Sequence, residues 1–127
     1  MSREELKELV ESLNFSKDDY YILGSGSLLL YGIRDIAHDL DLCISEELFE
    51  VLKKQNRIVE GNANDCGFYP LASNVEVVVN PKQDFDRDFV DGYPVERLEK
   101  ILAFKENRMK EKDQVDIVKI KKYLAQK

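Results

Sequence analysis

The stretch Tyr20–Ser45, YYILGSGSLLLYGIRDIAHDLDLCIS, carries the reading of this chain. An apolar run, Tyr20–Leu23, breaks at Gly24-Ser25-Gly26-Ser27. A second apolar segment, Leu28–Tyr31, stops at Gly32. Asp39-Leu40-Asp41-Leu42-Cys43-Ile44 then closes the stretch. This succession predicts strand, loop, helix and strand, with the helix beginning near Leu28.

The closing run is the chemical part. Side chains on a strand alternate between faces, so Leu40, Leu42 and Ile44 share one face and Asp39 and Asp41 the other. Carboxylates two residues apart on a strand stand roughly 6.5–7 Å apart at their α-carbons, within reach of shared hard cations. Unpaired, such acids repel and one pKa rises; a bound Mg²⁺ or Mn²⁺ relieves the conflict. The alternative is an exposed strand face on which acids are harmless, although Asp is a poor strand former. Thirteen residues separate Ser25 from Asp39. The freed N–H groups of the Gly24-Ser25 turn, at the start of a helix, are suited to phosphate.

With 127 residues, 43% of them hydrophobic and 35% charged, the chain fits one domain, residues 1–127, with a modest core and a well-solvated surface. The net charge of −6 disfavours a protein whose main task is gripping nucleic-acid backbone, yet a local basic patch can coexist with an acidic total and leaves RNA open as a co-substrate. No signal peptide or membrane-length apolar run is evident. Two cysteines, one histidine and no Cys-x-x-Cys argue for free thiols in a cytoplasmic protein.

Gly24-Ser25, Gly32-Ile33-Arg34 and Asp39-x-Asp41, in that order and spacing, resemble the signature of the DNA polymerase β-like nucleotidyltransferases, most closely their small bacterial, minimal members. The resemblance implies an α+β fold with a central mixed sheet flanked by helices and ending in C-terminal helices. It implies NTP as a substrate, Mg²⁺ at Asp39 and Asp41, and phosphate contact at Gly24, Ser25 and Arg34. A third acid belongs on the strand after the Asp-x-Asp helix. Glu76, the one charge in Val75–Val79, fits that position, although the family more often has Asp there. A salt-bridge partner for a nearby Lys or Arg is the alternative, and Glu60 and Asp65 are the next candidates. Lys105, Arg108, Lys112 and Asp113 stand where small members carry basic groups facing the triphosphate and a following Lys-Asp. The alternative for Lys112-Asp113 is the start of a solvated final helix. Ser25 can equally cap the helix, Arg34 can ion-pair locally, and His38 reads as a loop residue.

Outside this stretch, Ser2 and Glu5 form a capping box ahead of an amphipathic helix over residues 3–13. Ser45 is placed to cap a helix that buries Leu48, Val51 and Leu52. Arg57–Glu60 reads as a short strand, Phe68–Leu71 as an edge strand interrupted by Pro70, and Val75–Val79 as a good strand. Asp84–Tyr93 reads as an acidic, aromatic loop. Pro94 is expected in the first turn of a helix carrying Leu98, Ile101, Leu102 and Lys105. A last helix buries Ile117, Ile120 and Leu124. The resemblance then implies transfer of a nucleoside monophosphate from an NTP to an acceptor, with release of pyrophosphate. Resembling proteins modify aminoglycosides, tRNA ends or other proteins, the last two often in toxin–antitoxin pairs. A non-catalytic nucleotide-sensing or partner-binding module is the rival expectation. A homodimer or small partner protein could complete an acceptor pocket that 127 residues leave little room for.

Overall fold

The computed structural model describes residues 1–126. Helix α1 (Arg3–Leu13) starts at the expected capping box: the Ser2 hydroxyl accepts from Glu5 N–H while the Glu5 carboxylate accepts from Ser2 N–H. Leu6 and Val10 on its inner face are buried, and Asn14 in the left-handed conformation ends it. Strand β1 (Tyr20–Ile22), helix α2 (Gly24–Tyr31), strand β2 (Leu40–Ile44) and helix α3 (Glu46–Lys54) follow. Next come β3 (Tyr69–Ala72), β4 (Val75–Val79), β5 (Arg87–Val90), β6 (Tyr93–Glu96), α4 (Leu98–Arg108) and α5 (Gln114–Ala125). Short 3₁₀ turns precede β5 and α5.

The strands form one six-stranded mixed sheet in the order β3-β4-β2-β1-β6-β5. Parallel pairs β2–β4 and β1–β6 flank the antiparallel pair β1–β2, and each edge strand joins antiparallel. The architecture is α+β, a mixed sheet flanked by helices and ending in C-terminal helices, as the sequence predicted. Leu40, Leu42 and Ile44 point into a core that also holds Ile22, Val75, Val77 and Val95, covered by Leu6 and Val10 of α1 and Leu52 of α3. No helix among the described residues is long and apolar enough to cross a membrane.

Helix α2 sits between two cores. Leu29 and Leu30 face the sheet core, while Leu28 packs with Ile33 against Leu98, Ile101 and Ile120 of α4 and α5. A helix buried on both sides needs no polar face, and α2 has none in its second turn.

Several expectations are corrected. Gly24-Ser25-Gly26-Ser27 is not a loop ahead of a helix at Leu28; it is the first turn of α2. Ser25 lies inside that turn, and the capping position falls on Leu23, which makes no side-chain cap. Tertiary packing overrides weak propensity here. A Cβ on Gly26 would come within 2.8 Å of Ile22 Cγ2, so glycine lets α2 lie against β1. The buried Ser27 hydroxyl donates to Ile22 carbonyl at 2.5 Å. Arg57–Glu60 is not a strand; Ile58 alone reaches the core from a loop. In α3, Leu52 is buried but Val51 is 46% exposed.

Asp84–Tyr93 is not a loop throughout. It contains β5 and the first residue of β6, joined at Asp91-Gly92, both with positive φ. That pair is a strong hairpin signal, the mirror-image turn matching strand twist. Pro94 therefore belongs to β6, opposite Phe89, and not to a helix; α4 begins at Leu98 with Arg97 before it. The last helix begins at Gln114, after a 3₁₀ turn over Glu111–Asp113.

Candidate functional site

The sheet face opposite the main core carries the acids. In the parallel pairing of β2 with β4, Asp41 stands opposite Glu76, so both side chains project to one face of neighbouring strands. Asp39 lies just before β2 and is exposed. Asp41 is half-buried, and its Oδ1 is enclosed without any hydrogen-bond partner among the described residues. Burial first, then the charges of Glu76 and Asp39, push its carboxyl above the ordinary carboxylate range. An enclosed, unpartnered carboxylate oxygen is costly unless a cation or donor completes it.

Of these acids, Asp41 lines a cleft of about 560 Å³ between the sheet and the C-terminal helices. Asp41, Gly24, Ser25 and Glu96 line one side, and Arg34, Lys105, Arg108 and Lys112 contribute the cations. The cations are organised by two buried acids. Arg34 donates to both carboxylate oxygens of Asp116, at 2.6 and 3.2 Å. Lys105, only 8% exposed, lies 3.2 Å from Asp113 and 3.3 Å from Asp116. Arg108 grips Asp113 through two bonds of 2.6 and 2.8 Å, with its guanidinium 5.0 Å from the centre of the Phe104 ring. The paired Arg108 and Lys105 hold the Asp113 carboxyl far below the usual carboxylate range. Asp116 is likewise lowered: burial opposes, and the bonds and charges of Arg34 and Lys105 prevail. Helices α4 and α5 are thus clamped together by charge as well as by Ile101 and Ile120, and three cations against two carboxylates leave the wall positive.

Each predicted position can now be placed. Asp41, Gly24, Ser25, Arg34, Lys105 and Lys112 all border the cleft, and Glu76 stands beside Asp41. Among the described residues, no three His, Cys, Asp or Glu side chains already stand as a metal cluster. The unpartnered Asp41 oxygen beside Glu76 is the feature of these acids that suits a cation. Glu60 pairs with Lys53 at 3.6 Å and Asp65 is exposed in a loop, which leaves neither beside Asp41. Asp113 is not on a solvated helix face; it is 2% exposed and serves as the counter-ion of Lys105 and Arg108. His38 is exposed. Cys43 is a buried free thiol and Cys66 an exposed one.

Two residues of the site escaped the sequence. Asp116 lies on α5, and only the packing of that helix carries it to Arg34. Glu96, half-buried at the end of β6, accepts the Gly24 N–H at 2.9 Å. A hairpin reading of Asp91-Gly92 would have placed Glu96 on a strand, but not beside β1. The chain matches no family model and no curated protein.

Proposed function

We propose that this chain is a nucleotidyltransferase that moves a nucleoside monophosphate from an NTP to an acceptor hydroxyl, releasing pyrophosphate. The observation that carries this reading is the enclosed, unpartnered Oδ1 of Asp41, set beside Glu76 and facing a cationic wall across one cleft. Asp39, Asp41 and Glu76 bind the divalent cation, Mg²⁺ or Mn²⁺. When bound, that ion supplies positive charge to the transferring phosphoryl group and makes the acceptor hydroxyl more acidic. Gly24 and Ser25, at the positive end of α2, orient the phosphates. Arg34, Lys105 and Arg108 offset phosphate charge from the opposite wall, and Lys112 does so at the rim. Holding NTP and acceptor in line converts an encounter into a local reaction. A homodimer or small partner protein completes the acceptor side, and the acceptor is a small molecule, an RNA or a protein. Two free thiols suit a cytoplasmic setting.

One observation favours a second reading, a nucleotide-sensing or partner-binding module. Lys105 and Arg108 are already engaged by Asp113, and Arg34 by Asp116. The experiment that decides is incubation of the protein with Mg²⁺, each labelled NTP and cell extract. Transfer of label to any protein, RNA or small molecule, lost in Asp41→Asn, supports the enzyme. NTP binding without transfer favours the sensing module, and absence of NTP binding refutes enzyme and sensor alike and leaves a partner-binding module.

A further inference from the structure

We infer that Glu96 is a resident anion in the phosphate seat at the start of α2, and that a polyphosphate must displace it to bind. This rests on the reading of Gly24 and Ser25 as phosphate-holding residues. The Glu96 carboxylate takes the Gly24 N–H at 2.9 Å, the same donor that the proposed function gives to phosphate. The space above Gly24 is otherwise open: a Cβ placed there would meet nothing within 4 Å. Glu96 also borders the cleft that Lys105 and Arg108 line.

The placement of this carboxylate is built in. Glu96 N–H donates to Ser27 Oγ at 3.2 Å, and that hydroxyl donates to Ile22 carbonyl at 2.5 Å. Ser27 thus ties the end of β6 to the junction of β1 and α2, and fixes Glu96 in register with the helix start. Val95, its neighbour, pairs with Ile22 and points into the core, so Glu96 must point to the cleft face. Burial raises its carboxyl above the usual range, against the opposing Gly24 bond and the charges of Lys100 and Lys105. A group held there at a cost in desolvation, with one backbone donor, is readily displaced by a ligand of higher charge. A helix start offers roughly half a unit of positive charge, too little to hold a carboxylate and a phosphate together. Binding at Gly24 is therefore an exchange.

Inorganic tripolyphosphate with chelator present tests this without any contribution from the acids of β2 and β4. Calorimetric titration would compare wild type, Glu96→Gln and Glu96→Asp. The amide of Gln can still accept the Gly24 N–H, so the fold is kept while the charge is removed. Expected is roughly 3- to 30-fold tighter binding in Glu96→Gln, the range set by one charge at a helix terminus, and near-wild-type affinity in Glu96→Asp. The Gly24 amide resonance should shift on titration of wild type, a change that a merely structural Glu96 would not produce. Equal or weaker binding by a folded Glu96→Gln overturns the inference and leaves the phosphate reading standing, whereas tripolyphosphate binding with an unmoved Gly24 resonance overturns both. Absence of tripolyphosphate binding in wild type and both variants overturns the phosphate reading itself, and the inference with it.

Discussion

Asp41→Asn should raise the stability of the metal-free protein while abolishing its response to Mg²⁺. The perturbation removes one charge and leaves the shape unchanged. Asp41 and Glu76 are register partners on adjacent parallel strands, and Asp41 Oδ1 has no donor to lose. Taking the roughly 5 Å spacing of directly opposed strand residues and an effective dielectric of about 40–80, between the ~20 of a protein surface and the ~80 of water, the repulsion relieved is about 0.8–1.7 kcal/mol. For 127 residues, an unfolding entropy of about 2.1 cal/mol/K per residue makes 1 kcal/mol equivalent to about 4 °C. The variant should therefore melt about 3–6 °C above wild type in chelator. At 10 mM Mg²⁺ and a Kd of about 1 mM, wild type gains about 1.4 kcal/mol and closes that gap, whereas the variant gains almost nothing. Scanning calorimetry of both proteins with and without Mg²⁺ reads all four numbers. A variant less stable than wild type in chelator, with an undiminished response to Mg²⁺, would refute the reasoning, because it would mean that Asp41 already has a cationic or donor partner.

Asp116→Asn should cost on the order of 2 kcal/mol at neutral pH by leaving Arg34 and Lys105 short of a counter-ion, measured by urea unfolding. The folded pKa of Asp116 is depressed, so its contribution is complete above the unfolded value of about 3.8 and is lost as pH falls through the folded one. The gap between wild type and variant should therefore shrink below about pH 4, and a pH-independent gap would contradict the assignment. Gly26→Ala should destabilise by about 1–3 kcal/mol despite alanine's better helix propensity, since its Cβ collides with Ile22; neutral or improved stability would show that α2 can shift off β1. Lys112→Ala should weaken tripolyphosphate binding about two- to fivefold with an unchanged melting point, because the exposed Lys112 makes no ion pair in the buried cluster; unchanged affinity would remove it from the site.

The legible parts were those written in local chemistry. The capping box at Ser2 and Glu5, the Ser45 cap and the alternation of Leu40–Ile44 each act within a few residues, so their spacing alone specifies helix or strand. Period-two alternation also fixed which face carries Asp41, and the same rule applied to Val75–Val79 places Glu76 opposite its apolar neighbours. Where local preference and burial conflict, the sequence misleads. Four glycines and serines read as a loop, but the joint burial of α2 between two cores and the Ser27 bond to Ile22 make them helix. Pro94 carries a helix-start preference, yet the β5–β6 hairpin and the parallel pairing of β6 with β1 claim it for the sheet.

Register across the sheet was beyond the sequence altogether. That β4 lies beside β2 in parallel, with Glu76 level with Asp41, depends on strand order, which no single strand encodes. The same holds for Asp113, read as the start of a solvated helix, and for Asp116, which the sequence did not single out; both are buried as counter-ions once α5 packs on α4. It holds for Glu96, which meets Gly24 72 residues away in sequence because β6 is laid against β1. Local sequence specifies which way a side chain points from its own element. Only the packing of elements decides what it points at, because contact between distant residues depends on how the whole chain closes its core.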